Sequence, residues 1–343
     1  MKNNINMGVL GLGRMGQVHC RQIAATPGLF LSAASSRSPE IAAGMKEELK
    51  ISVYDSHERL LEENSIDWTV ITTFTHEHKK WALRAIAAGK NLIIEKPVAL
   101  SYQEAAAIFQ AAREKGVKVT VHLNRRWDRD FELVQRVLKE DLLGEVYRIE
   151  SRYTNFSSGW AGWGLQGLDN PWRLKKAYGG GLLSDWGPHL FDQLLLLTAS
   201  PPKCLFGKTE NRIWSSEVED HFWAEVLFRN GVSARVEASN NHRYSLPRWL
   251  LLGSKGTLKM SGGDPSEWNI ALIRKNFHDF QEETTLDTSQ QELSGGFYPA
   301  FAAALQQGKE PPVGAEEVLA AARLMDAVKE SDSRGQSIDL SVD

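Results

Sequence analysis

The junction near the start of the chain constrains its fold more than any other feature. An apolar run, Ile5 to Leu10, passes through Gly11-Leu12-Gly13-Arg14-Met15-Gly16 into a helical pattern, Met15 to Ala25. With 28 glycines in 343 residues, roughly 0.2 matches to G-x-G-x-x-G are expected by chance, so context has to decide. The chain carries its own control. Gly162-Trp163-Gly164-Leu165-Gln166-Gly167 has the same spacing, but it follows no apolar run and is trailed by Leu-Asp-Asn-Pro, which opens a helix poorly. The first match therefore reads as a strand-turn-helix that cradles a pyrophosphate, and the second as a loop. In the first, Gly11 permits the tight turn, Gly13 lets backbone approach the phosphates, and Gly16 lets helix and strand pack closely. Leu12, Arg14 and Met15 complete the turn, and the helix start offers free N–H groups to an anion.

The pattern continues as alternating strands and helices. Strands are expected at Leu29 to Ser35, Trp68 to Thr73, Asn91 to Ile94 and Val117 to His122, with helices at Pro39 to Leu49, His76 to Ala88 and Ser101 to Lys115, the last capped by Ser101. This spacing implies βαβ units and a doubly wound parallel sheet, a Rossmann domain over residues 1–122. The texture then changes. Val146 to Phe156 alternates, and His221 to Phe228 places Phe222, Ala224, Val226 and Phe228 on one face before the turn Asn230-Gly231 and the return Val232 to Ser239. Trp249 to Leu252 and Thr257 to Met260 extend the meander, and Ala315 to Lys329 is helical. Residues 123–343 are thus expected to form an α/β domain with an open, mostly antiparallel sheet.

Bulk properties exclude several function classes. Forty basic against 43 acidic residues give a net charge of −3, without the basic excess expected of a nucleic-acid binder. No run approaches the ~18 apolar residues of a membrane helix, and the N-terminus lacks a cleavable leader pattern. Cys20 and Cys204 have no metal-ligand spacing and read as reduced thiols. A cytoplasmic protein is expected.

At the end of the second strand an NAD site would carry a carboxylate for the ribose hydroxyl. Here the chain reads Ser35-Ser36-Arg37-Ser38, with no acid until Glu40. Small hydroxyls and a guanidinium suit a 2′-phosphate, so NADP is favoured over NAD, although Arg37 stacking on the adenine with both cofactors used is the competing reading.

Two segments carry reactive groups. Glu95-Lys96-Pro97 follows the Asn91 to Ile94 strand at the ligand-binding edge of a doubly wound sheet, where Lys96 could reach a nicotinamide and a reacting oxygen. The run Gly179-Gly180-Gly181-Leu182-Leu183-Ser184-Asp185-Trp186-Gly187-Pro188-His189-Leu190-Phe191-Asp192 puts Asp185, His189 and Asp192 at i, i+4 and i+7, on one face if helical, with Pro188 tolerable only in the first turn. An imidazole there suits general-base work, against the plainer reading of a capping aspartate and a core histidine. His76 and His78, at i and i+2, do not share a helix face, no metalloprotease or serine-nucleophile motif is present, and no metal site is expected.

Together, Gly11-x-Gly13-x-x-Gly16-x-x-His19, Val70-Ile71-Thr72-Thr73 with His78 beyond, Glu95-Lys96-Pro97 and the Gly179 to Asp192 run resemble the Gfo/Idh/MocA family of sugar and polyol oxidoreductases over nearly the whole chain. The resemblance implies that Lys96 and His189 are catalytic with Asp185 in support. It also implies that Thr73, Glu95, Trp172 and Arg173 join the cofactor site, and that the open sheet assembles a homodimer or homotetramer. Asn124-Arg125-Arg126-Trp127-Asp128 and Asp192-Gln193 resemble a narrower branch that includes NADP-dependent scyllo-inositol dehydrogenases, which adds Asn124 and Arg125 to the substrate contacts. The chain departs from the family's usual wording at Phe74-Thr75 and at the Gly/Trp-rich stretch Ser157 to Pro171, where Trp163 is a candidate for stacking on a sugar ring.

The expected reaction is hydride exchange between a ring carbinol of a sugar or cyclitol and a nicotinamide, in a cleft between the domains. Glycoside cleavage through transient oxidation by bound NAD, a non-catalytic dinucleotide sensor and a purely structural role for the sheet are the alternatives.

Overall fold

The structure is a computed structural model that describes residues 5–156, 172–263, 268–277, 280–289 and 295–341. It divides into two units, residues 1–124 with 295–319 and residues 125–294 with 320–343.

In the first unit six parallel strands take the order β3-β2-β1-β4-β5-β6. They are β1 (Ile5–Leu10), β2 (Leu29–Ser35), β3 (Ser52–Tyr54), β4 (Trp68–Ile71), β5 (Asn91–Ile94) and β6 (Val119–Val121). The connecting helices are α1 (Arg14–Ala25), α2 (Pro39–Leu49), α3 (His57–Leu61), α4 (His78–Ala87) and α5 (Tyr102–Lys115). Strands β1, β4 and β5 are continuous apolar runs because helices cover both faces of such a sheet, and Val9, Leu10, Val70, Ile71, Ile93 and Ile94 are all inaccessible. Burying each of these side chains stabilises the fold by about 1.5–3 kcal/mol. The Ser101 hydroxyl caps α5 by accepting from the Glu104 N–H at 3.2 Å, as the sequence suggested. The order reverses on either side of β1 and β4, which places the turn after β1 at the switch point where open α/β sheets bind ligands.

The division expected at residue 122/123 lies close to the change of unit at 124/125, but the chain later returns. Gly295–Leu319 belongs to the first unit, contrary to a second domain running unbroken to the C-terminus. The return is driven by α8 (Phe297–Gln306), whose Phe297, Tyr298 and Phe301 are buried, with Phe301 packed edge-on to Trp68 at 4.8 Å. The Thr120 hydroxyl donates to the Val313 carbonyl at 2.9 Å and fastens the end of the excursion to β6.

In the second unit nine strands take the order β14-β13-β12-β11-β7-β10-β9-β8-β15. They are β7 (Val146–Thr154), β8 (Pro202–Glu210), β9 (His221–Phe228), β10 (Ser233–Ser239), β11 (Trp249–Gly253), β12 (Thr257–Met260), β13 (Ile270–Phe277), β14 (Phe280–Asp287) and β15 (Ile338–Asp339). All neighbours are antiparallel except β7 and β10. The alternation read in β9 is realised: Phe222, Ala224, Val226 and Phe228 are buried in one core with Leu190, Phe191 and Leu194 of α7 (Leu182–Thr198) and with Phe131 and Val134 of α6 (Arg129–Lys139). The last helix, α9 (Ala315–Arg334), adds Leu324 and Val328 to that core. No helix among the described residues is long and apolar enough to cross a membrane.

Candidate active site

The turn between β1 and α1 has the geometry of an anion cradle. A Cβ on Gly16 would lie 1.9 Å from the Gly11 carbonyl oxygen, so only glycine allows the helix to pack there, while Gly11 itself sits at φ +92°. The Thr72 hydroxyl, 2.6 Å from that same oxygen, ties the turn to the residue after β4. Leu12 turns its side chain into the core, leaving its backbone at the turn, and Met15 is half-buried. Gly13 faces open space, with nothing within 4 Å of a Cβ built on it. It is the N-cap of α1 yet supplies no side-chain cap, and the helix's first turn, which contains Arg14, holds no acid. The positive end of α1 is thus not offset by its own N-cap or by an acid in its first turn, and a dinucleotide pyrophosphate fits such a surface.

At the end of β2 the Ser35 hydroxyl is 2.7 Å from His57 Nδ1, and Ser36 is buried with its hydroxyl turned toward the Ser38 backbone. Arg37 is exposed, and Glu40 belongs to the first turn of α2. Burial holds the His57 imidazole below its usual range, and the positive charge of Arg37 adds to the effect.

Glu95 and Lys96 follow β5. Glu95 is 6% exposed, and both its oxygens are engaged inside the unit. Oε1 accepts from His19 Nε2 at 2.7 Å and His122 Nδ1 at 2.9 Å, while Oε2 accepts from the Lys96 backbone N–H at 3.0 Å. Burial pushes this carboxyl up, but hydrogen bonds and charge from His122 and His19 outweigh it and hold the group well below the usual carboxylate range. Burial, then His122, lowers the pKa of the His19 imidazole. Its Nδ1 lies 2.5 Å from the Tyr298 hydroxyl, which can donate or accept. The Lys96-Pro97 peptide is cis. His78 Nδ1 lies 2.8 Å from the Pro97 carbonyl and its Nε2 3.1 Å from the Thr73 carbonyl, and the buried Thr73 hydroxyl has no hydrogen-bond partner among the described residues.

The second unit positions Asp185 and His189 on α7. Its N-terminus is closed by Glu219: the backbone carbonyl accepts from Leu182 N–H at 3.0 Å and Oε1 accepts from Leu183 N–H at 2.9 Å. Gly181, at φ +110°, leaves room for that carboxylate, which would lie 2.3 Å from a Cβ. Asp185 is half-buried, with Oδ1 3.6 Å from Arg173 Nε, whose guanidinium lies over the Trp172 ring at 4.5 Å. His189 is 4% exposed and sits edge-on to Trp186, which stacks on Tyr153 at 3.6 Å. Pro188 is the seventh residue of this helix rather than part of its first turn, contrary to expectation. It forfeits one backbone hydrogen bond to Ser184, and the buried Leu182, Leu183, Trp186 and Leu190 hold the helix together around that loss.

Asp192 shares the i+7 position but is an ion-pair partner, gripped by Arg126 at 2.8 and 2.5 Å. The Asn124–Trp127 segment forms a 3-10 turn, with Asn124 exposed. The Arg125 guanidinium lies over Trp186 at 4.2 Å and binds Asp128 at 2.7 Å, and the Arg125 carbonyl accepts from Gln193. Trp163 and the whole stretch 157–171 lie outside the described residues.

Sequence reasoning missed Glu219 and Arg248. Arg248 is fully buried, bound to Asp130, Ser151 and Gln193, and no local pattern marks a charged residue whose partners lie 55 to 118 positions away. It also raised no metal site, whereas two groups, His19 with Glu95 and His122, and His221 with Glu237 and His242, bring donor atoms within 4.8 Å of one another. In the first group each nitrogen facing Glu95 must carry a proton for the observed hydrogen bonds. In the second, the arginines 152 and 235 already lie 3.5 and 3.1 Å from Glu237.

The family profile "Oxidoreductase family, NAD-binding Rossmann fold" matches residues 5–123, and "GFO/IDH/MocA C-terminal domain" matches residues 131–259. The chain is 27% identical to the Uncharacterized oxidoreductase YdgJ of Escherichia coli, covering 96% of this chain and 97% of that one. It is 24% identical to the scyllo-inositol 2-dehydrogenase (NADP(+)) IolW of Bacillus subtilis, covering 98% and 96%. Among solved structures, an NAD-binding protein from Listeria innocua superposes with a TM-score of 0.86 at 28% identity, over 98% of this chain and 97% of that one.

Proposed function

The chain belongs to the Gfo/Idh/MocA family of oxidoreductases, and on that premise we propose that it is an NAD(P)-dependent dehydrogenase of a ring carbinol in a sugar, sugar derivative or cyclitol, with NADP preferred. The observation that carries this reading is α7, which sets the buried imidazole of His189 one turn beyond a half-buried carboxylate, Asp185, on a helix whose own N-terminus is already closed.

In this reading His189 takes the proton of the substrate hydroxyl, and the Lys96 ammonium donates a hydrogen bond to the same oxygen as negative charge develops there. Asp185 orients the pair and is itself oriented by Arg173. The nicotinamide, when bound at the α1 turn, supplies the hydride acceptor. Leu12, Gly13, Arg14 and Met15 offer backbone to the pyrophosphate, and Ser36 with Arg37 receives the 2′-phosphate. Support for NADP comes from the absence of a carboxylate at the end of β2 and from the NADP(+) designation of the Bacillus relative. Asn124 and Arg125 are proposed to serve the substrate. Phe206 and Leu227, partly exposed on the sheet face turned away from α7, support assembly into a homo-oligomer.

Turnover of the Lys96→Ala and His189→Ala variants tests these roles. Each is expected to lose about 10²-fold or more in kcat, with dinucleotide affinity by fluorescence titration within about threefold of the parent. Lost dinucleotide binding with unchanged kcat would contradict both assignments.

A further inference from the structure

Resting on that reading of Lys96, we infer that Glu95 is a positioning residue: its carboxylate fixes the backbone at Lys96 and couples it to the phosphate-turn helix α1.

An ionised carboxylate only accepts, so the three groups that meet Glu95 must all donate: His19 Nε2–H at 2.7 Å, His122 Nδ1–H at 2.9 Å and the Lys96 N–H at 3.0 Å. With Nε2 of His19 committed to Glu95, its Nδ1 is engaged by the Tyr298 hydroxyl at 2.5 Å, so both ring nitrogens are held. Both oxygens of Glu95 likewise have partners within the set, so each side chain orients the next. His19 stands on α1, one turn beyond Gly16, and is inaccessible to solvent, as is its ring contact with His122 at 4.4 Å. A continuous path of short bonds therefore runs from the helix that opens at Gly13, through His19 and Glu95, to the main chain of Lys96. On the far side of that lysine, the buried His78 ring lies between two carbonyls, with Nδ1 2.8 Å from that of Pro97 and Nε2 3.1 Å from that of Thr73. The residue meant to touch the reacting oxygen is thus pinned on both flanks of its main chain by buried groups.

A buried carboxylate is costly unless it is fully hydrogen-bonded. A chain that needed only a well-packed core at the end of β5 would be served by an apolar residue at position 95. The charged arrangement instead gives direction at the one backbone site where a displacement of about 1 Å would cost about 10²-fold in rate.

The test uses the full-length protein and a readout of where the Lys96 amine lies. Trace acetic anhydride labels lysines competitively, and mass spectrometry follows acetylation of Lys96 with and without saturating NADP+, while fluorescence titration follows NADPH affinity. In the parent, NADP+ is expected to protect Lys96 by at least about tenfold. In Glu95→Gln the amide NH2 opposes a donor, so protection should fall below about twofold while NADPH affinity stays within about threefold and kcat drops about 10²-fold. Should Glu95→Gln not fold, Tyr298→Phe removes a single hydroxyl from the same chain of bonds and should leave protection at roughly half the parent's. Parental protection in whichever of these variants folds would overturn the inference. Absence of NADP+ protection in the parent itself would show instead that Lys96 does not meet the cofactor, and would remove both the reading of Lys96 and the inference built on it.

Discussion

Two glycine-rich segments each lead into a helix, and they are built for opposite ends. At Gly11 to Gly16 the helix start carries no cap of its own: Gly13 has open space beside it and supplies no capping side chain, and no acid sits in the first turn of α1. At Gly179 to Gly181 the helix start is filled. Gly181 makes room for Glu219, which takes up the Leu182 and Leu183 N–H groups and occupies the positive end of α7. The same residue type in the same place on a helix therefore leaves the helix start without a side-chain cap in one unit and makes room for a carboxylate in the other. What distinguishes them is whether a carboxylate from elsewhere in the chain arrives to satisfy the helix. The first end suits a phosphate-bearing cofactor, and the sealed end suits a helix whose work is to hold Asp185 and His189 still.

The most direct way to break the contrast is to give α1 the capping carboxylate that Gly13 does not supply. Gly13 has φ −62°, which any residue can adopt. Gly13→Asp should weaken NADP+ binding by about 10²-fold through like-charge repulsion, while the melting temperature holds or rises because aspartate is a good N-cap. Equal binding would mean that the cofactor does not use this helix end. A smaller effect is expected from Arg37→Ala, which should weaken NADP+ by about tenfold and NAD+ by less than about twofold. Equal loss on both would overturn the preference for the 2′-phosphate.

The smallest effect belongs to the sealed end. Burial raises the Glu219 carboxyl above its ordinary value of 4.5, ahead of the opposing hydrogen bonds from its own and the Leu183 backbone. A group with a raised folded-state value contributes stability that is full below its unfolded value and is lost as pH rises through the folded one. Glu219→Gln should therefore gain in melting temperature relative to the parent as pH rises from 4.5 toward neutrality, with cofactor affinity unchanged. A relative gain that instead grows as the solution is acidified would contradict the account of this cap.

The legible parts of the fold are those whose cause is local. The β1 turn needs glycine at positions a few residues apart, and β9, from His221 to Phe228, was expected and found with the same ends because its alternation is the burial pattern itself. Helix α7 was legible as a carrier of Asp185 and His189, but its start was not. Pro188 pointed to a helix beginning later, and only the packing of Leu182, Leu183 and Trp186 explains why six residues precede the proline. Strand β8 went unseen because Pro202-Lys203-Cys204-Leu205-Phe206-Gly207 has little strand character, and its pairing with β9 supplies what propensity does not. The return of Gly295–Leu319 to the first unit and the salt bridge of Arg248 with Asp130 depend on partners far away in sequence. The same holds for the Glu95 network, where the resemblance drew attention to His19 and Glu95 but nothing in their spacing linked them to His122 and Tyr298.

The proposed activity is hydride transfer between a ring carbinol and a nicotinamide. It is checked by the absorbance of the reduced nicotinamide, recorded with cyclitols, aldoses and glycosides against NADP+ and NAD+ in parallel. The expected result is reduction of NADP+, faster than of NAD+, by one class of cyclic polyol or sugar. Tight binding of NADPH with no reduction of either cofactor by any member of the panel, and release of an aglycone from a glycoside without net change in absorbance, would contradict it.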